Sequence, residues 1–131
     1  MSVLLSIKPK YVTAIIEGVK RYEFRRVIFK RKITSIYIYA TSPVNKIVGL
    51  FEIDKIIKEH PQEIWNMCHE YAGISESEFF DYFEGFLTAY AIKIKSVSRF
   101  GREIDPYRYI ENFRPPRSFC YMPHHLIKDT V

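Results

Sequence analysis

Apolar positions along the chain fall into runs whose period changes repeatedly, and each change predicts an element boundary. Val3 to Ile7 is a short apolar run and predicts a first strand. Pro9 suits the first turn of a helix, where its missing N–H is no loss, and Tyr11, Ala14, Ile15 and Ile16 recur at helical spacing up to Glu17. Gly18 stands just past that helix, where only glycine escapes the Cβ penalty of left-handed geometry. The period then drops to two: Tyr22 and Phe24 alternate with Arg21, Glu23 and Arg25, so the aromatics face a core and the charges share the opposite face. Lys20 is an odd number of residues from Glu23. The two converge only if Lys20 still belongs to the turn after Gly18.

The same reading continues downstream. Lys30-Arg31-Lys32 is a solvated turn between strands, Thr34 to Thr41 alternates as a strand, and Lys46 to Ile53 makes the next. Gly49 within it points to a bulge or a close backbone approach. Pro61 opens a second helix with Ile64, Trp65, Cys68, Tyr71 and Ala72 as its buried stripe, ended by Gly73. Ser75 and Glu78 form a capping-box pattern ahead of a third helix, whose apolar face is Phe79, Phe80 and Phe83 and whose stop is Gly85. Thr88 to Ser98 alternates again. Asp105 to Arg117 is a proline-broken loop with at most one helical turn, Ser118 to Met122 is a closing strand, and residues 123–131 read as a tail. Strands outnumber helices, and the pattern alone supports α+β. A small mixed barrel is the economical way to bury so many alternating strands without long exposed edges.

Composition narrows the class. A length of 131 residues, 47% apolar and 16% aromatic, predicts one globular domain over residues 1–131. No apolar run approaches the roughly 20 residues that span a bilayer, so no membrane partner is expected. The N-terminus shows no charged region followed by an apolar stretch, and Cys68 and Cys120 form no Cys-x-x-Cys pair, so a cytoplasmic protein with free thiols is expected. The net charge of +5 is unevenly spread. Twelve Lys or Arg face five acids up to His60, six acids stand without any Lys or Arg from Pro61 to Tyr90, and eight cations face four acids beyond. A basic body with an acidic helical insert suggests a polyanion-binding face on one side, with the insert lying away from it.

No Walker loop, Rossmann glycine pattern or His-Glu-x-x-His is found, so no cofactor is expected. His124 and His125 near Cys120 lack a fourth ligand at zinc-like spacing, and no metal site is assigned. Adjacent helical residues point about 100° apart, which disfavours a Cys68–His69 dyad. The Arg-Glu-Arg row at Arg21, Glu23 and Arg25 has two readings: a solvated edge of neutralised charges, or the mouth of a binding cleft with Glu23 and Arg25 paired inside it. Lys8, Lys10, Lys20, Arg25 and Arg26 bracket the first helix and the motif strand. Tyr37 and Tyr39, on one strand face, serve either as base-stacking surfaces or as a barrel interior.

Gly18, Lys20, Glu23 and Arg25 together resemble the Gly-x-Lys-x-x-Glu-x-Arg signature of the ASCH domain family, relatives of the PUA RNA-binding fold. Leu5-Ser6-Ile7-Lys8-Pro9 and Pro115-Pro116-Arg117-Ser118-Phe119 are similar to further ASCH segments, and the resemblance runs to about Met122. It implies a PUA-like mixed β-barrel with flanking helices. It also implies an RNA- or nucleotide-binding cleft built from Lys8, Lys10, Lys20, Glu23, Arg25, Arg26, Tyr39, Thr41, Arg117 and Ser118. One branch of the family hydrolyses N4-acetylcytidine with a Lys, a Thr and a Glu, and other members are proposed ribonucleases. Lys20 takes the Lys position of that branch, but Glu23 stands for its Thr and Ala72 for its Glu, with Glu70 nearby. If the cleft is an enzyme's, Lys20, Glu23 and Arg25 are the candidate catalytic residues.

Overall fold

The computed structural model describes residues 2–122, so His124, His125 and the predicted tail lie outside the described residues. Six strands form one sheet in the order β2-β5-β4-β3-β1-β6, comprising β1 (Ser2–Ile7), β2 (Tyr22–Arg25), β3 (Ser35–Ala40), β4 (Lys46–Glu59), β5 (Ala89–Ile104) and β6 (Phe119–Met122). β1 and β3 run parallel, joined by a crossover containing α1 (Pro9–Ile16) and β2, and every other pair is antiparallel. The sheet curls into a half-barrel, the mixed α+β architecture expected. Its open seam lies between the two edge strands, β2 and β6.

Both faces of the central strands are covered. Val3, Leu5, Ile7, Ile36, Ile38 and Ala40 pack with Val12 and Ile15 of α1, while Leu4, Tyr37 and Tyr39 join Ile47, Ile104 and Met122 on the other side. A strand buried on both faces needs apolar residues at every position, which is why Val3 to Ile7 is a run and not an alternation. A third core joins Phe24, Ala89 and Ala91 to the insert helices through Ile64, Cys68, Phe79 and Phe83. That insert comprises α2 (Pro61–Cys68), a single 3-10 turn over His69–Tyr71, and α3 (Glu76–Tyr82). The loop after β5 holds one short helix, α4 (Pro106–Tyr109).

Two strands outrun their predicted ends. β4 continues past Ile53 to Glu59 and β5 past Ser98 to Ile104, because each supplies the other's backbone partners through polar stretches such as Asp54-Lys55. Irregularities at Ile47/Gly49, Glu52/Ile53 and Ile53/Lys55 let the pair stay bonded while the face of burial changes. Gly49 marks the tightest approach: a Cβ there would lie 2.5 Å from the Ser98 backbone oxygen. Backbone does not move aside cheaply, so Gly49→Ala is expected to lose about 1–3 kcal/mol of stability in urea unfolding. An unchanged midpoint would show that the pairing yields more easily than this spacing implies.

Candidate functional site

A cleft of about 960 Å³ opens along the seam of the half-barrel. The turn after α1 builds its floor. Gly18 adopts φ 80°, and the amides of Val19 and Lys20 both donate to the Ala14 carbonyl, so the chain reverses before β2 begins. Lys20 therefore stays outside the strand and shares the cleft with Glu23. Its side chain is only 2% exposed, and Nζ donates to the Ala72 carbonyl at 2.7 Å. The ammonium also lies over the rings of Phe24, at 4.7 Å, and Tyr11, at 5.1 Å. Burial lowers the Lys20 pKa below the usual amine value; Glu23 opposes that shift and Arg25 adds to it. Gly73, at φ 62°, closes the enclosure, since a Cβ there would collide with Cβ and Cγ of Lys20.

Arg25 bridges the seam. Its guanidinium donates to the Ser6 carbonyl at 2.9 Å, reaches the Ser118 carbonyl and hydroxyl at 3.5 Å, and meets the Glu23 carboxylate at 3.5 Å. Glu23 also accepts from the Phe24 amide at 3.2 Å. One side chain thus ties edge strand β2 to both β1 and the segment leading into β6, across the seam where no backbone ladder joins β2 to β6. The Pro-Pro-Arg-Ser segment is held from its other side by Ser6, whose hydroxyl donates to the Pro116 carbonyl at 2.7 Å and whose amide donates to the Ser118 carbonyl. Arg25 Nε is buried and has no hydrogen-bond partner among the described residues.

Most of the sequence-predicted residues meet in this cleft. Lys8, Lys20, Glu23, Arg25, Arg26, Thr41, Arg117 and Ser118 all line it. Lys10 does not; it is exposed beside the cleft and pairs with Glu78 at 3.0 Å. Tyr39 lies elsewhere altogether. It has no exposure, packs near Phe113 and sends its hydroxyl toward Asn45, and burial pushes its phenol pKa up. A ring with no accessible face cannot stack on a base, so of the two readings of Tyr39 the barrel interior is the observed one.

The acidic insert was expected to lie away from the cleft, and α3 instead forms one wall of it through Glu78, Phe79, Asp81 and Tyr82. The reason is apolar. Phe79 meets Phe24 edge-on with ring centroids 5.0 Å apart, and Phe24 alternates with the motif charges on the same short strand. β2 is a four-residue edge strand, so α3, packed on Phe24 from one face, also reaches past the strand's edge to the cleft that Glu23 and Arg25 line from the other. The capping box is half formed: Ser75 accepts from the Glu78 amide, but the Glu78 carboxylate turns to the Tyr11 hydroxyl at 2.7 Å and to Lys10. Those bonds lower the Glu78 pKa, chiefly the one from Tyr11, while burial and the same carboxylate raise that of Tyr11. Sequence reasoning counted Tyr11 as apolar stripe. Its hydroxyl was the available signal that this face of α1 meets something polar.

A small curled mixed sheet with a cationic cleft at its seam places the molecule among PUA-like folds. The chain belongs to the ASCH domain family, whose model matches residues 5–98. An ASCH domain-containing ribonuclease of Zymomonas mobilis is 31% identical over 122 residues, covering 91% of this chain and 82% of that protein. The crystal structure of ASCH from Zymomonas mobilis superposes with a TM-score of 0.91 at 28% identity, covering 98% of this chain and 92% of that one.

Proposed function

We propose that the cleft binds a segment of single-stranded RNA, with a phosphate seated against Arg25 and Ser118 and the chain running past Lys8 and Arg117. Arg25 carries this reading. Its guanidinium lines the cleft, and its bonds to Ser6, Ser118 and Glu23 hold that planar, permanently charged donor group in place for an anionic oxygen. Around it the cleft holds five cations, Lys8, Lys20, Arg25, Arg26 and Arg117, against three carboxylates, Glu23, Glu78 and Asp81. Cys68 and Cys120 are free thiols, and among the described residues no helix is long and apolar enough to cross a membrane.

Arg117 is exposed and lines the cleft, so it tests the phosphate role without disturbing a core. Arg117→Ala is expected to weaken binding to all short single-stranded RNAs by a similar factor. It should also flatten the salt dependence by roughly one ion's worth of slope. Anisotropy titrations at several salt concentrations read both. No measurable RNA binding by the native protein at low salt would end the proposal.

A second reading adds cleavage at the same cleft. It is favoured by the lowered pKa of Lys20 and by the relative that is named a ribonuclease. A neutral Lys20 amine would take the proton of a ribose 2′-hydroxyl. That oxygen would attack the adjacent phosphorus beside Arg25, and the P–O5′ bond would break as the 5′ oxygen takes a proton from water, giving a 2′,3′-cyclic phosphate and a 5′-hydroxyl while the Lys20 ammonium returns its proton to the hydroxide left behind. Lys20→Arg should then abolish cleavage, because a guanidinium does not release its proton near neutral pH. Turnover that survives Lys20→Arg would eliminate this role. Hydrolysis of N4-acetylcytidine finds less support: where that branch has a Glu, Ala72 offers only its backbone carbonyl, and Glu70 is exposed and does not line the cleft.

A further inference from the structure

The cleft has two chemically different sides. Arg25, Arg117 and Lys8 supply donors on one. The other is α3 and the turn after it, which carries Asp81, Tyr82 and Phe86. A second phosphate site is a poor use for that wall, since Asp81 and Glu78 would repel it. Yet the wall is built. The Arg26 guanidinium lies over the Tyr82 ring at 4.1 Å and over the Phe86 ring at 5.1 Å, so the three pack together as one group. Phe86 is 40% exposed and Val27 54%, and both line the cleft, so apolar surface is left facing the opening. The Asp81 carboxylate has no hydrogen-bond or ion-pair partner among the described residues.

We infer that this wall reads the base of the bound nucleotide: the base stacks on the Tyr82–Arg26–Phe86 group and donates from its edge to Asp81, which selects guanine. Unpaired bases stack on aromatic rings and on guanidinium planes alike. A carboxylate only accepts hydrogen bonds, and it offers two oxygens side by side. Guanine alone presents two adjacent donors, N1–H and the N2 amino group, to match them. Adenine and cytosine each place an acceptor beside their single amino group, and the uracil N3–H is flanked by two carbonyls. The carboxylate opposes all of those acceptors. The phosphodiester then remains on the Arg25 and Arg117 side, so the two walls orient one nucleotide across the cleft. This selectivity rests on the reading that the cleft binds single-stranded RNA.

Short oligouridines with a central guanosine, inosine, adenosine, cytidine or uridine test it, carrying 2′-fluoro sugars so that no cleavage intervenes. The native protein should bind the guanosine-centred oligomer about tenfold more tightly than the uridine one, the usual scale for one bidentate base contact. Inosine, which lacks the N2 amino group, should fall between. Asp81→Asn should equalise guanosine and uridine, even if removal of a negative charge tightens both. Phe86→Ala should weaken all five of these oligomers and leave an oligouridine with a central abasic site unaffected. Equal native affinity for all centres would overturn the base-reading wall, as would a guanosine preference that survives Asp81→Asn. Either result would leave RNA binding itself standing. Failure of every oligomer to bind would instead sink the RNA reading and this inference with it.

Discussion

Arg25→Ala is expected to unfold at clearly lower urea and to lose at least tenfold in affinity for single-stranded RNA. The stability loss follows from what Arg25 holds together. It supplies the side-chain link from β2 to Ser6 and Ser118 across the seam and is the ion-pair partner of the buried Glu23 carboxylate. Removing one member of a buried pair leaves an uncompensated charge, which costs about 3–5 kcal/mol. The lower end applies here, because the Glu23 contact is long at 3.5 Å and the Lys20 ammonium still attracts the carboxylate. Arg25→Lys should recover part of the stability and little of the binding, since one ammonium replaces the charge but cannot span Ser6, Ser118 and a phosphate together. A variant with native denaturation midpoint and native RNA affinity would show that Arg25 is neither a strut nor a ligand.

Lys20→Met carries the opposite sign for stability. Burial lowers the folded-state pKa of Lys20, so between that value and the ordinary 10.5 the unfolded chain binds more protons than the native one. Stability therefore rises with pH across that window, and the penalty of Lys20 is fully present below the folded pKa. Methionine fills a similar volume without charge. Lys20→Met should raise stability near neutral pH only modestly, because Glu23 loses an attractive neighbour and the Ala72 carbonyl its donor. The advantage should shrink as pH rises toward 10. Any RNA cleavage should vanish with it. A Lys20→Met protein less stable than native at every pH would place the amine among the groups that hold the fold, and would remove the sign that it is retained for chemistry.

Much of this was open to sequence reasoning, and the reasons are local. Gly18 reverses the chain because α1 ends there, and the odd spacing of Lys20 and Glu23 meant that the two could converge only if Lys20 lay in that turn, as it does. Pro115 to Ser118 was flagged by resemblance, and it stands on the far side of the seam, tied to Ser6. Tyr39 shows where local pattern stops. Alternation shows that Tyr37 and Tyr39 share a face, but whether that face meets solvent depends on Ile104, Met122 and Phe113 arriving from the far end of the chain.

Periodicity, capping residues and charge spacing act over a few residues, and they specify α1, the turn and the succession of strands along the chain. The acidic insert was misplaced because charge was weighed at the scale of the whole segment. Its position is set by Phe79 and Phe83 packing on Phe24, contacts between residues more than fifty positions apart. Burying those rings outweighs the repulsion among solvated carboxylates, since exposed charges are screened and apolar area is not. Side-chain period can place Glu23 and Arg25 on one strand face. Turning that face into a cleft floor took the curl of the sheet, which brings Ser6 and Ser118 within reach of one guanidinium, and the wall that α3 supplies opposite them.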